Sequence, residues 1–157
     1  MIEIQAPNLF PDPHDKPWIF LAGSIEMDAE EDWQSRVVQE LSELDVVILN
    51  PRRKDWDSSW VQEKSNPQFS EQVNWELAGL YGSDLALFYF QPGTQSPISL
   101  LELGLQAVAP DKVMVICPDG FWRKGNVDIT CDSYGFRQFA SLDEAVDLIK
   151  RTNWNKL

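Results

Sequence analysis

The chain has 157 residues, enough for one domain with a core of its own. Thirteen basic against 25 acidic residues give a formal charge of −12, which argues against a nucleic-acid backbone or an anionic membrane as the main partner. Two cysteines, Cys117 and Cys131, are too few for a disulfide scaffold and lack metal-ligand spacing, so reduced thiols and a cytoplasmic location are expected. The N-terminal segment MIEIQAPNLFPDPHDKP has no basic start and no apolar h-region, and no apolar run approaches the ~20 residues of a membrane span.

Residues 1–16 are polar and proline-dotted, and read as an extended arm with at most one short strand. PWIFLAG (17–23) is a buried-strand signal. Trp33, Val37, Leu41 and Leu44 recur at helical spacing, with acidic residues over 28–32 at the end where the helix dipole favours them. DVVILN (45–50) is a second strand, stopped by Pro51. Residues 51–68 show no period and form a loop long enough to suggest function. Phe69, Val73, Leu77 and Leu80 mark a second helix. DLALFYF (84–90) is a third strand, and QPGTQSP (91–97) a turn-rich loop. SPISLLELG opens a helix expected to run to about Ala109. KVMVIC (112–117) is a fourth strand, 118–126 a loop, and 127–140 the place for a fifth, short strand. SLDEAVDLIKR (141–151) is an amphipathic helix, with Ser141 and Glu144 spaced as a capping box.

Strands alternating with helices predict a single α/β domain over 1–157, three-layered, with a mainly parallel sheet of about five strands. Ligands of such sheets sit outside the carboxyl ends of the strands. Those ends are Gly23-Ser24, Asn50-Pro51, Gln91-Pro92 and Cys117-Pro118.

No GxGxxG follows a strand and no GxxxxGK[ST] occurs, so nicotinamide and P-loop chemistry are poorly supported. His14 is the only histidine, which leaves little room for a histidine triad or a histidine-rich metal site. Neither a metal nor another cofactor is expected. What stands out is carboxylates among apolar residues. Ile98, Leu101, Glu102 and Leu105 share one helical stripe, and Gly104 leaves open space beside it. Glu76 falls on the side marked by Phe69, Val73 and Leu80. Two semi-buried carboxylates flanking one strand suit substitution at an anomeric carbon, one attacking the sugar and the other handling the leaving group's proton. Equally, each glutamate can simply reach solvent or pair with an arginine. Trp56, Trp60, Phe121 and Trp122 are candidates to stack on a planar heterocycle, or to roof the core. Arg52 and Arg53 can bind an anion or a base edge, or pair with Asp55 and Asp57.

FLAGSI (20–25), NPRR with DWDSSW (50–60), QVNWEL with the following SD (72–84), SLLELGL (99–105) and GFWRKGNVDI (120–129) together resemble the nucleoside 2-deoxyribosyltransferase superfamily, in its deoxyribosyltransferase-like branch. The resemblance spans roughly residues 18–130 and implies a flavodoxin-like or Rossmann-like fold. It implies transfer of a 2-deoxyribosyl group between nucleobases, with retention, through an ester on a glutamate. By the ELG motif that nucleophile is Glu102. Glu76, eight residues before the Asp84 that opens the central strand, matches the acid that assists at the base, with Glu in place of the commoner Asp. Ser96 occupies the sugar-contacting position six before the nucleophile, which is an acid in the transferases and a Ser in the related 2′-deoxynucleoside 5′-phosphate N-hydrolases. Asn126 matches, with a one-residue gap, an Asn that a neighbouring subunit often supplies to the sugar 5′-oxygen. Gly23, Ser24 and Ile25 form a first loop closer to the hydrolase pattern. With Asn50, Arg52 and Trp56 they complete the expected substrate-binding set.

The expected partners are therefore a deoxyribonucleoside, a free nucleobase and further copies of the chain. Base transfer is the leading activity. Hydrolysis of deoxynucleosides or their 5′-monophosphates, and non-catalytic nucleoside binding, are the alternatives.

Overall fold

The computed structural model describes residues 1–12, 15–25, 32–57 and 59–154. His14 and the acidic residues 28–31 lie outside them. The elements in chain order are β1 (Ile2–Gln5), β2 (Trp18–Gly23), α1 (Trp33–Glu40), β3 (Val47–Asn50), α2 (Pro67–Gly82), β4 (Leu85–Tyr89), α3 (Pro97–Leu105), β5 (Val113–Ile116), α4 (Lys124–Tyr134), β6 (Arg137–Phe139) and α5 (Leu142–Arg151). Two short 3₁₀ turns, Gln106–Val108 and Pro110–Lys112, lead from α3 into β5.

The six strands form one sheet in the order β1-β3-β2-β4-β5-β6, and every neighbouring pair is parallel. Period-two alternation sends each strand's side chains to opposite faces. Phe20, Ala22, Leu49 and Phe88 meet α2, α3 and α4 through Trp75, Leu80, Leu103, Val127 and Cys131. Ile19, Leu21, Ile48 and Leu87 meet α1 and α5 through Trp33, Val37, Val146 and Ile149. The result is the expected three-layer α/β arrangement with one strand more than expected.

Two segments differ from the sequence reading. Residues 124–134 form a helix, and the short strand follows it at 137–139. The apolar positions there are sparse: only Val127 and Cys131 are buried on α4, a single i, i+4 pair that gives little periodicity to read. In α3 the stripe of Ile98, Leu101 and Leu105 does not face the sheet. Leu103 and part of Leu100 do, while Ile98 and Leu101 are 60% and 62% exposed.

Strand order dictates where a ligand can sit. From β2 the chain steps to β3 on one side, then crosses back over β2 to β4 and moves outward to β5 and β6. That reversal opens a crevice between the carboxyl ends of β2 and β4. Two glycines let the backbone close around it. Gly23, at φ +133°, ends β2 where a Cβ would lie 2.2 Å from the Tyr89 carbonyl oxygen. Gly79 brings α2 onto Phe20, whose ring lies 3.0 Å from where a Cβ would stand. Among the described residues no helix is long and apolar enough to cross a membrane.

Candidate active site

A cavity of about 510 Å³ lies at this reversal, walled by the ends of β2 and β3, one side of α2 and the first turns of α3. Glu102 and Glu76 both line it. Glu102 projects from α3 and is 8% exposed. Among the described residues no hydrogen bond reaches its carboxylate. Burial, and then the negative charge of Glu76, push its carboxyl up from 4.5 to about 8. Burial also raises Glu76, opposed by a hydrogen bond from Gln72. Two carboxyls that line one cavity do not ionise together easily, since each negative charge disfavours the other.

The floor is a hydroxyl cluster. Ser24 Oγ lies 2.7 Å from Thr94 Oγ1 and 2.7 Å from Ser96 Oγ, and the last two are 3.0 Å apart. The Gln91 amide donates to Ser24 Oγ at 2.9 Å, and Thr94 Oγ1 donates to the Gln91 carbonyl at 2.8 Å. Ser96 sits at φ 44°, a left-handed conformation uncommon outside glycine, immediately before Pro97 opens α3. Ser99 Oγ donates to the Gly23 carbonyl at 2.7 Å, fastening α3 to the end of β2. Glu102 is one turn further along the same helix.

Trp56 lines the cavity and meets Trp60 edge-on at 5.2 Å between centroids. Trp60 itself is not in the wall; the Arg53 guanidinium lies over its ring at 5.2 Å. A smaller space of about 180 Å³ continues past Ile25, Pro51 and Trp56 to Arg53, Gln72 and Glu76. Among the described residues no group of His, Cys, Asp and Glu is arranged to hold a metal ion.

A family model described as nucleoside 2-deoxyribosyltransferase like matches residues 16–121. The chain belongs to the nucleoside 2-deoxyribosyltransferase-like family. None of the curated proteins compared with it matches. The family match covers every strand from β2 to β5 and stops before Asn126.

Of the site residues expected in this nucleoside 2-deoxyribosyltransferase-like chain, Glu102, Glu76, Gly23, Ile25, Trp56 and Ser96 come together around the cavity. Ser24 lies just beneath, buried and in contact with Ser96. Three others stand apart. Asn50 is buried and engaged at both ends of its amide: its Nδ2 donates to Glu3 Oε1 at 2.8 Å, and its Oδ1 accepts from the Arg52 amide at 3.0 Å. It tethers β1 and shapes the turn after β3. Arg52 approaches Asp32 at 3.4 Å. Asn126 lines a different space of about 360 Å³ with Gly104, Leu100 and Trp122, across α3 from the glutamates. Gly104 accordingly opens onto that side and leaves the carboxylates alone.

The other aromatic and cationic candidates divide as follows. Phe121 is buried against Phe90 at 5.0 Å and roofs the core. Trp122 is exposed, donates to the Gln95 carbonyl at 2.9 Å and carries the Arg123 guanidinium over its ring at 4.3 Å. Arg53 pairs with Asp55 at 2.7 Å and Glu71 at 2.8 Å. Gln72, Thr94 and Ser99 escaped the sequence reading. Gln72 alone had a readable signal, since it precedes Glu76 by four residues, one helical turn along the same face.

Proposed function

We propose that this chain moves a 2-deoxyribosyl group from one nucleobase to another through an ester on Glu102. The observation that supports this most directly is two carboxyls, Glu102 buried and Glu76 half-buried, lining one cavity at the sheet's reversal, both raised by burial, with an aromatic wall beside them.

One proton held by the pair would match what the reaction needs. As the C1′–N bond breaks, a Glu102 oxygen forms the new bond to C1′, and the electron pair stays on the base nitrogen. Glu76 delivers its proton to that nitrogen, so the base leaves neutral. The reactive arrangement is therefore Glu102 ionised and Glu76 protonated, which carries the same single proton as the resting pair. A second base then attacks C1′ from the face the first one left, freeing the Glu102 carboxylate and returning a proton to Glu76. Two inversions give retention. Trp56 offers a face on which a base can stack, and Ser96, backed by Ser24 and Thr94, offers hydroxyls to the sugar.

Hydrolysis is the second reading, and it too has a specific support. Ser96 is uncharged and locked in a hydroxyl network, so nothing acidic at that position repels a 5′-phosphate. Incubation with a deoxyribonucleoside, with and without a second free base, separates the two by chromatography. New nucleoside means transfer and free sugar alone means hydrolysis. Turnover by Glu102→Ala at the wild-type rate would remove both, and tight nucleoside binding without any turnover would leave a binding domain.

We also infer that the working form is a homo-oligomer. Asn126 opens away from the glutamates, into a space it shares with exposed Trp122, and Leu101 and Leu105 stand exposed on the same helix, α3, that parts the two spaces. Apolar surface of this kind is covered most simply by a second copy, which then supplies its Asn126 across the interface.

A further inference from the structure

Gln72 is 4% exposed and sits one helical turn before Glu76. Its Nε2 donates one hydrogen to the Pro51 carbonyl at 2.8 Å and the other to Glu76 Oε1 at 2.8 Å. Its Oε1 is buried and, among the described residues, has no hydrogen-bond partner. A buried amide that leaves its acceptor empty is costly unless its donors are needed where they are. The Pro51 carbonyl can only accept, so reversing the amide would set oxygen against oxygen. The nitrogen is thereby held toward both partners. Because that nitrogen only donates, Glu76 Oε1 must accept, and any proton on Glu76 resides on Oε2.

We propose that Gln72 is a positioning residue that aims Glu76 into the cavity, keeps Oε2 as its proton-carrying oxygen, and biases the pair's shared proton toward Glu102 while the site is empty. This rests on the reading of Glu76 and Glu102 as a working pair. Among the described residues the charged groups facing Glu76 are few. From α3 there is Glu102, and from the loop after β3 there is Arg53, whose guanidinium is already taken by Asp55 and Glu71. Gln72 is thus the polar group that sets the balance between the two carboxyls. In keeping with this, its hydrogen bond draws the Glu76 carboxyl down against the opposing effect of burial.

The test combines a ¹³C titration of labelled glutamate carboxyls with the pH profile of kcat for base exchange, in wild type, Gln72→Met and Gln72→Glu. Glu76→Gln and Glu102→Gln assign the signals. Losing the donor in Gln72→Met is expected to move the lower of the pair's two titration steps up by about one pH unit. The acid limb of kcat should move with it, while KM changes less than about twofold. Gln72→Glu keeps the shape, adds a negative charge, and should move the step further. An unchanged lower step in either folded variant overturns the proposal. If Glu102→Gln keeps wild-type turnover, the catalytic reading falls instead, and the carboxyl titration still decides the role of Gln72.

Discussion

Replacing Glu102 with Gln should make the protein more stable at neutral pH while destroying its proposed activity. In the unfolded chain the Glu102 carboxyl titrates near its ordinary 4.5; in the folded protein burial and Glu76 hold it at about 8. Between those values the folded state binds a proton that the unfolded state has released. Stability is therefore whole below pH 4.5 and falls as pH rises toward 8. At pH 7 the stretch already crossed is about 2.5 pH units, and at about 1.4 kcal/mol per unit the wild type has lost about 3 kcal/mol to this one group. Glutamine keeps the size and shape, has no charge to desolvate and does not titrate. Every other carboxyl, Glu76 included, remains in both proteins and largely cancels in the comparison. Urea unfolding of wild type and Glu102→Gln at pH 5 and pH 8 reads the difference directly. The gap between the two curves should widen by about 3 kcal/mol from the lower to the higher pH. Parallel pH dependence would mean that Glu102 is ionised in the folded protein, and the shared-proton account would fail with it.

The rate of base exchange should fall above about pH 8, as the last proton leaves the pair and Glu76 can no longer protonate the departing base; a flat alkaline limb through pH 9 would contradict this. Gly23→Ala should cost more than ~3 kcal/mol or prevent folding, because its methyl would lie 2.2 Å from the Tyr89 carbonyl at a backbone angle disfavoured for alanine; thermal unfolding measures it. Asn126→Ala and Glu102→Ala, each inactive alone, should recover activity when mixed, since one copy's Asn126 would serve the other's Glu102. No recovery, together with a monomer by light scattering, would refute the shared site.

The layers of this molecule were readable because its strands are short, apolar and bounded by Gly, Pro or Asn, and because α5 concentrates its apolar residues on one side. Glu102 and Glu76 were readable as carboxylates out of place in apolar stripes. Their surroundings were not. The stripe of Ile98, Leu101 and Leu105 has ordinary core periodicity, yet two of its three members are more than half exposed and all three line the cavity. Periodicity reports that residues share a face of a helix and is silent on whether sheet or cavity lies opposite it. Asn50 and Arg52 illustrate the converse. They stand at a crevice-facing strand end by chain position, but a hydrogen bond to Glu3, an ion pair with Asp32 and a hydrogen bond within their own turn engage them. Such pairings join residues up to 47 positions apart, and no local pattern encodes them.

The aim of Glu102 is set by a chain of backbone and hydroxyl contacts that begins at the end of β2. The Tyr89 carbonyl accepts from the Ser24 amide at 2.9 Å, which requires the close approach that only glycine at position 23 permits. Ser24 Oγ then holds Ser96, whose left-handed backbone costs about 1 kcal/mol for a residue with a side chain. From Ser96 the helix departs in a fixed direction, and Ser99 locks its first turn to the Gly23 carbonyl. On the opposite wall Gln72, pinned to the Pro51 carbonyl, does the same for Glu76. Each carboxyl is thus referenced to the carboxyl end of its own strand, Glu102 to β2 and Glu76 to β3. These strands pair in register through Trp18–Val47, Ile19–Ile48 and Phe20–Leu49. The rigid sheet, more than either helix, therefore sets the separation of the two acids, and the proposed reaction would not need to reorganise them.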